Sequence, residues 1–248
     1  MRVRLRVINL LYPPACLLCG TRRSAPPAEA HADPSSDAVC AACQQAMPTS
    51  GSPVCARCGI ALPGAFDAVV ECATCRTLPL AFEMARAPWQ YAGPTQNAVR
   101  QFKYHRRWRL GRWLAREMVV TARRSFPLDE IASVLPVPLH WAKRRLKGYN
   151  PAEHLASVVA QSLDKPCELR ALRRTRWTAT QTQLSGHERF RNVQRAFVAS
   201  PALVHDRKML LIDDVLTSGA TAHACALTLK AAGAQAVFVL TAARTPRA

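Results

Sequence analysis

Four C-x-x-C pairs lie within the first 75 residues and limit what this part of the chain can fold into. They hold eight of the ten cysteines: Cys16/Cys19, Cys40/Cys43, Cys55/Cys58 and Cys72/Cys75. Each pair can form a knuckle that offers two thiolates to a tetrahedral ion, and two knuckles complete a four-sulfur structural zinc site. A region this small gains too little stability from a hydrophobic core alone. We therefore expect two structural zinc ions to supply much of its folding free energy.

Two pairings of these knuckles are open. The segments CLLCG and CARCG each end in glycine, whereas CAACQ and CATCR do not, which indicates a duplicated unit. This repeat favours two consecutive ribbons, in which the first pair joins the second and the third pair joins the fourth. The alternative is a cross-braced arrangement of the same four knuckles.

The N-terminal segment MRVRLRVINLLYPPACLLCG is basic and then briefly apolar. Its apolar run is too short for a signal peptide, and no small-residue cleavage site follows it. No stretch approaches the roughly 18 apolar residues of a membrane-spanning helix. We therefore expect a cytoplasmic protein without a membrane span. Disulfides are disfavoured in that compartment, so the paired thiols point to metal.

The pattern changes near residue 80, and we predict a cysteine-rich double zinc-ribbon domain over residues 1–80 and an α/β domain over residues 81–248. Strands are predicted at residues 83–91, 131–139, 208–212 and 235–242, and helices at residues 94–105, 108–124 and 219–232. A further helix is predicted to begin at Pro151, because Asn150 can cap it. Strands that alternate with helices imply a parallel sheet flanked by helices.

The stretch MLLIDDVLTSGAT, residues 209–221, places two acids at the end of a buried strand. Asp213 and Asp214 are expected at the carboxyl end of the sheet, where ligands bind in such folds. The stretch that follows, Thr217, Ser218, Gly219, Ala220 and Thr221, leads into a helix whose N-terminus can hold a phosphate. Carboxylates would repel that phosphate unless they hold something else, and vicinal ribose hydroxyls with a nearby Mg²⁺ fit that need. The alternative is that these residues only cap the helix.

The formal net charge is +18, and the basic residues are clustered. Residues 100–147 contain thirteen Lys or Arg against three acids, and residues 165–195 contain eight against two. This bias predicts polyanionic partners such as phosphates or nucleic acid. Five tryptophans could add stacking surfaces for single-stranded DNA, with core packing as the alternative: Trp89, Trp108, Trp113, Trp141 and Trp177.

The stretch MLLIDDVLTSGAT resembles the phosphoribosyl pyrophosphate (PRPP) signature of type I phosphoribosyltransferases. The whole chain resembles the competence protein F family, in which a zinc-binding segment precedes such a domain. Three further stretches carry the resemblance: YAGPTQNAVRQFKYHRRWRLGRWLA with Lys103 and Tyr104, VPLHWAKRRLKGYNPAEHLA, and RTRWTATQTQLSGHERFRNVQRAF. Two positions depart from the family pattern: Ser218 stands where Thr is common, and Lys147 stands where Arg is usual. The second change weakens a bidentate phosphate contact.

The resemblance implies a phosphoribosyltransferase-like fold and roles for individual residues. Asp213 and Asp214 would hold the ribose hydroxyls, directly or through Mg²⁺, and residues 217–221 would bind the 5-phosphate. Lys103 would also contact the substrate. A basic turn would face pyrophosphate, with Arg144, Arg145 and Lys147. A mobile flap would close over an oxocarbenium-like centre and exclude water, with Arg176, Thr180, Gln181, Arg189 and Asn192.

Two classes of function are open. The first is an enzyme that transfers a phosphoribosyl group from PRPP to an acceptor, linked through the family to competence and DNA uptake. The second is a non-catalytic protein that uses the same fold to bind single-stranded DNA alongside DNA-uptake proteins. A purely structural zinc protein would leave the double aspartate unexplained.

Overall fold

A parallel sheet organises the part of the chain that the structure, a computed structural model, describes: residues 15–22, 38–51, 53–64, 69–78, 80–176 and 196–246. Its strands are β1 (Met84–Arg86), β2 (Trp89–Gln90), β3 (Ile131–Pro136), β6 (Lys208–Leu216) and β7 (Ala236–Arg244). The order is β3-β6-β7-β1, and β2 also pairs with β7. A separate antiparallel pair consists of β4 (Leu172–Arg174) and β5 (Phe197–Ala199). The predicted parallel sheet is confirmed, whereas β4 and β5 were not predicted.

The predicted strand at residues 83–91 is split into β1 and β2. Arg86 pairs with Leu240 and Trp89 pairs with Ala243, so the register along β7 is unbroken. The interruption falls at Ala87 and Pro88, and proline has no N–H to donate to a strand ladder. The two strands are therefore one edge of the sheet with a gap at the proline.

Both faces of the sheet are covered, and this explains the near-continuous apolar sequence of its central strands. Successive residues of a strand point to opposite faces. Leu210 and Ile212 of β6 accordingly belong to one core, which we call the first core, whereas Met209 and Leu211 belong to the second core. Each of these four side chains is fully buried.

Helices cover each face. The cysteine-rich region holds α1 (Ala41–Gln45) and α2 (Ala73–Thr77), and the rest of the described chain holds α3 (Gly93–His105), α4 (Trp108–Ser125), α5 (Trp141–Lys147), α6 (Pro151–Ser162), α7 (Pro201–Val204) and α8 (Ala220–Ala231). The first core receives α3, α4 and α6, whereas the second receives α8 and the β4–β5 pair. The predicted helices are confirmed to within about one residue at the ends given, but α5 was interpreted as a turn.

The helix α6 begins as its sequence predicts. The Oδ1 atom of Asn150 accepts a hydrogen bond from Ala152 N at 3.1 Å, and Pro151 occupies the first turn. The Nδ2 atom of Asn150 donates to Val137 O at 3.0 Å, just beyond the end of β3. One buried side chain therefore caps the helix and joins it to the sheet.

The cysteine-rich region divides between the two faces. The first ribbon, described over residues 15–22 and 38–49, places Cys16, Val39 and Met47 in the first core. The second ribbon, described over residues 53–64 and 69–78, places Cys58 and Ile60 in the second core. The two ribbons therefore flank the sheet on opposite sides.

Candidate functional site

The two adjacent aspartates lie inside β6 and not just after it, which corrects the predicted end of the strand. Pro136, the last residue of β3, pairs with Ile212, whereas β6 continues beside β7 as far as Leu216. Asp213 and Asp214 therefore project past the end of β3 while they stay paired to β7 on the other side. The predicted strand ended at Ile212 because two carboxylates are unexpected inside a buried strand.

The charge of Asp214 is balanced by a lysine from α3. Lys103 Nζ lies 2.7 Å from Asp214 Oδ2 and donates to Asp214 Oδ1 at 3.0 Å. Asp214 is only 7% exposed. Burial acts to lower the pKa of Lys103, but the Asp214 carboxylate outweighs it and raises that pKa above its ordinary value. The structure thus brings together two residues that the sequence placed 111 positions apart.

Asp213 has a different environment from its neighbour. Its Oδ1 accepts a hydrogen bond from Asp214 N at 2.8 Å. Burial, reinforced by the Asp214 charge, raises the pKa of Asp213 to about 7, while Lys103 and Arg174 act in the opposite direction. A carboxyl group with this pKa exchanges its proton near neutrality, as groups at ligand sites often do.

The loop after β6 has the backbone geometry of an anion site. Gly219 has a φ of +82°, a left-handed conformation that favours glycine, and α8 begins at the next residue. Ala220 N donates to Ser218 Oγ at 3.3 Å. The N-terminus of this twelve-residue helix presents backbone N–H groups and the positive end of its dipole. The structure thus places residues 217–221 at the end of β6 and the start of α8, with two residues between them and the double aspartate.

The predicted basic turn is the short helix α5, which follows β3. The His140 side chain caps it by accepting from Ala142 N at 3.3 Å. Arg144 and Arg145 are exposed, and Arg144 Nη1 lies 3.0 Å from Glu153 Oε1. Lys147 is the last residue of the helix. Because β3 and β6 are parallel neighbours, α5 and the loop after β6 both lie at the carboxyl end of the sheet.

Tyr149 holds the end of the helix that carries Lys103, a role the sequence did not reveal. Its hydroxyl donates to Phe102 O at 3.1 Å and to Lys103 O at 2.5 Å. The residue lies in the stretch VPLHWAKRRLKGYNPAEHLA, whose resemblance to the family was the available signal. Its partners are more than 40 positions away, so local pattern could not identify them.

The predicted flap begins on the β4–β5 pair. Leu172 pairs with Ala199, and Thr175 N donates to Ala196 O at 2.9 Å. Arg176 follows β4 and is exposed. The other predicted flap residues, Thr180, Gln181, Arg189 and Asn192, lie outside the described residues, as does Trp177.

The eight paired cysteines form two groups of four, in the consecutive arrangement. One group is Cys16, Cys19, Cys40 and Cys43, the other is Cys55, Cys58, Cys72 and Cys75, and the sulfur atoms of each lie within 4.8 Å of one another. The distance between Sγ atoms is 3.7 Å for Cys19 and Cys40, and 3.8 Å for Cys58 and Cys72. Tetrahedral zinc with Zn–S bonds of about 2.3 Å requires about 3.8 Å. The thiols therefore fit two structural zinc ions.

Three guanidinium groups join the second ribbon to the rest of the fold. Arg57 Nη1 donates to Phe82 O at 2.9 Å, and Arg86 Nη1 donates to Ala56 O at 3.0 Å. Arg244, the last residue of β7, donates through Nε to Cys58 O at 3.1 Å. The second zinc site is therefore connected to β1, to β7 and to the segment before β1.

Comparisons with known proteins identify a matching family and partly similar structures. The double zinc ribbon domain family matches residues 7–76. Two solved structures are similar to part of the chain: the allosteric regulatory enzyme of purine biosynthesis (TM-score 0.39, 20% identity) and the glutamine PRPP amidotransferase from B. subtilis (TM-score 0.38, 19% identity). The likeness covers 58% and 57% of this chain and 30% of each of those chains.

Relatives in sequence span most of the chain. DNA utilization protein YhgH of Escherichia coli (strain K12) is 32% identical over 210 residues, which is 84% of this chain and 90% of that protein. Competence protein F of Haemophilus influenzae is 27% identical over 211 residues, with 83% and 90% covered. Among the described residues, no helix is both long and apolar enough to cross a membrane. The identity to these two relatives over most of each chain shows that the chain belongs to the family of DNA utilization protein YhgH and competence protein F, as the sequence motifs indicated.

Proposed function

We propose that this protein binds PRPP with Mg²⁺ at the end of β6 and transfers its phosphoribosyl group in a process linked to DNA uptake or use. One observation carries the proposal. A double aspartate, with the buried Asp214 paired to Lys103, is followed after four intervening residues by a left-handed glycine and a helix N-terminus. The carboxylates suit ribose hydroxyls and Mg²⁺, which prefers oxygen ligands, and the loop suits a phosphate. The link to DNA rests on the names of the relatives.

In this proposal the Asp214 carboxylate exchanges its ion pair with Lys103 for contacts with the ligand. The positive charge of Lys103 offsets part of the repulsion between the two neighbouring carboxylates and a phosphate. The backbone N–H groups at the start of α8 would hold the 5-phosphate of the ligand, and Asp213 and Asp214 would hold its ribose. The exposed Arg144 and Arg145 of α5 would supply positive charge for pyrophosphate at the same carboxyl end of the sheet.

The direct test is titration of the purified protein with PRPP and Mg²⁺ by calorimetry. Replacing Asp213→Asn and Asp214→Asn together removes two charged partners, each worth roughly 1.5–3 kcal/mol, so the affinity should fall by at least about a hundredfold. The matched control is Asp129→Asn with Asp206→Asn, which makes the same charge change at two exposed positions. Equal PRPP affinity in the site variant and the wild type would show that the ribose assignment is wrong.

The pH dependence tests Asp213 in particular. With a pKa of about 7, the Asp213 carboxyl group must lose its proton before it can bind a cation or accept hydrogen bonds from two ribose hydroxyls. The affinity for PRPP with Mg²⁺ should therefore decrease as pH falls below about 7, by up to about tenfold per pH unit. Lys103→Met removes a charge that lowers the pKa of Asp213, so the midpoint of this dependence should move to higher pH. An affinity that is flat between pH 5.5 and 8.5 would contradict the assignment.

Single-stranded DNA binding is a second candidate function, and it rests on a basic and aromatic surface. Arg106 lies over the Tyr149 ring at 5.2 Å, and the rings of Trp108 and Tyr149 are 5.0 Å apart. These contacts join the turn between α3 and α4 to the end of α5. Tyr104 is 61% exposed and Trp141 is 63% exposed, so both side chains present accessible aromatic surface for stacking with bases.

The other described tryptophans have a packing role. Trp89 and Trp113 are buried in the first core, and their ring centroids are 5.0 Å apart in a stacked arrangement. The sequence could not separate these two from Trp108 and Trp141, because all four occur in basic or amphipathic segments. Burial therefore excludes Trp89 and Trp113 from the candidate DNA surface.

A salt titration tests the DNA surface. Arg109→Gln with Arg145→Gln should lower the affinity for a single-stranded oligonucleotide and flatten the slope of log K against log salt by about 1.4, since each phosphate contact contributes about 0.7. The control is Arg123→Gln with Arg124→Gln, at the opposite end of α4 from Arg109 and about 20 Å away along the helix. A slope equal to that of the wild type would remove DNA from this surface.

Arg107 is left unchanged in this experiment for a structural reason. Its Nη1 donates to Leu17 O at 2.9 Å, inside the first zinc knuckle. A substitution at Arg107 would therefore alter a contact of the first ribbon as well as the basic surface.

A further inference from the structure

Arg244 contacts both the second zinc ribbon and the loop after β6. Its guanidinium donates to Cys58 O at 3.1 Å through Nε, and its Nη2 lies 3.8 Å from Cys58 Sγ. Through Nη1 it donates to Leu216 O at 3.0 Å and to Thr217 O. The residue is only 8% exposed. A single buried side chain thus joins a zinc-ligand residue to the first residue of the loop at 217–221.

The chemistry of both partners favours arginine at this position. A buried guanidinium is costly unless its charge and its donors are satisfied. Carbonyl oxygens satisfy two sides of the planar group, and a four-thiolate zinc site with a net charge of about −2 satisfies the third. Lysine would keep the charge but has no planar group that can reach carbonyls on two segments at once.

The position of Thr217 O matters for the loop that follows it. Residues 217–219 turn the chain from β6 into α8, and Gly219 adopts a left-handed φ of +82° in this turn. Thr245 N also donates to Leu216 O at 3.0 Å, so a backbone bond fixes the last residue of β6 where the Arg244 side chain fixes the first residue of the loop. The guanidinium is therefore placed to set the path of the loop into the helix.

We propose that Arg244 is a positioning residue that shapes the phosphate loop and couples it to the metal loading of the second ribbon. Loss of zinc from the second ribbon would remove both the negative charge beside the guanidinium and the fixed position of Cys58 O. Arg244 would then release Thr217, and the amides of residues 218–221 would lose their common orientation. The inference rests on the proposed function for the identity of the ligand, but not for the coupling between ribbon and loop.

Hydrogen exchange of the ligand-free, zinc-loaded protein tests the coupling without PRPP. In Arg244→Lys, amide exchange in a peptide covering residues 217–223 should accelerate by about tenfold or more, since a local stability loss of about 1.4 kcal/mol corresponds to a factor of ten. The matched control is Arg107→Lys, which alters the guanidinium that contacts a knuckle carbonyl of the first ribbon. Unchanged exchange in Arg244→Lys, or an equal change in the control, would overturn the inference.

A second measurement compares zinc release from the wild-type protein and from Arg244→Lys, and it distinguishes this inference from the proposed function. Coupling between two sites is reciprocal, so PRPP with Mg²⁺ should slow zinc release from the second ribbon to a chelator, and Arg244→Lys should abolish that effect. PRPP that binds without changing zinc release would overturn the coupling and leave the proposed function standing. PRPP that does not bind would overturn the proposed function, while the exchange experiment still decides the role of Arg244.

Discussion

The two zinc ribbons have the same four-cysteine ligand set and the same C-x-x-C spacing within each knuckle, yet they are placed differently in the fold. In the first ribbon Cys19 is exposed and Cys40 and Cys43 are half-buried, whereas all four cysteines of the second ribbon are buried. The first packs on the face that carries α3, α4 and α6, and the second packs on the face that carries α8. The duplicated motif therefore supplied two similar metal sites that became parts of two different cores.

A glycine shared by the two ribbons makes the difference concrete. Gly20 and Gly59 each follow a knuckle, and both have positive φ, +75° and +65°. A Cβ atom on Gly20 would have open space around it, whereas a Cβ atom on Gly59 would lie 2.5 Å from Ala85 O in the adjoining β1. The sequence shows the same residue twice, but only the second is also required by close packing against the sheet.

The largest expected effect comes from removing one zinc ligand of each ribbon. Cys58→Ser should lower the melting temperature by about 10 °C or more, because it disrupts a buried site that contacts the sheet through Arg244, and loss of a metal site can cost more than about 4 kcal/mol. Cys19→Ser, at an exposed position, should cost about a third as much. Calorimetry on both variants, with zinc content measured in parallel, would contradict the comparison if the two losses were equal.

The glycine pair should give the next largest effect. Gly59→Ala should destabilise the protein by about 3 kcal/mol or more, because a left-handed backbone strain adds to a steric contact that only a backbone shift can relieve. Gly20→Ala carries the strain alone, at about 1 kcal/mol. Chemical denaturation of the two variants measures the difference directly. A Gly59→Ala protein as stable as Gly20→Ala would mean that the second ribbon is not held tightly against β1.

The smallest expected effect is kinetic. Zinc should leave the protein in two phases when a chelator is added, with the first ribbon about tenfold faster, because attack requires access to a ligand sulfur and Cys19 is exposed. Cys19→Ser assigns the phases, since the variant should lack the fast one. A slow phase that vanishes in Cys19→Ser would reverse the order of the two ribbons.

Local sequence patterns were sufficient for much of the fold. Helices α3, α4 and α6 and strand β7 follow from the patterns of their apolar residues and, for α6, from the Asn150 cap. Each of these signals relates residues no more than about four positions apart along the chain. The repeated glycine favoured the consecutive pairing of the knuckles over a cross-braced arrangement, and the positions of the sulfur atoms confirm it. Structures of this kind depend on short-range physics, which a single sequence records.

The features that were missed depend on contacts between distant residues. β6 continues through Asp213 and Asp214 because Lys103, which belongs to helix α3, neutralises the carboxylate of Asp214. The strands β4 and β5 have three residues each, too few for a periodic pattern. Arg244 lies two residues beyond the predicted strand at residues 235–242, and nothing near it in sequence indicates that Cys58 and Thr217 are its partners. The candidate site was therefore found from its motif, whereas the residues that support it were found only from the fold.

The sheet edge formed by β1 and β2 determines how the protein would self-associate after zinc loss. Ala85 N donates to Arg57 O at 2.7 Å and Gln90 N donates to Pro48 O at 2.8 Å, so both ribbons cover this edge of the sheet. At the other edge, Val134 N donates to Pro166 O at 2.9 Å. A strand edge that loses its cover can pair with the edge of another molecule. Zinc withdrawal should therefore convert the protein into a self-associating species, and turbidity should rise with protein concentration before the helices melt.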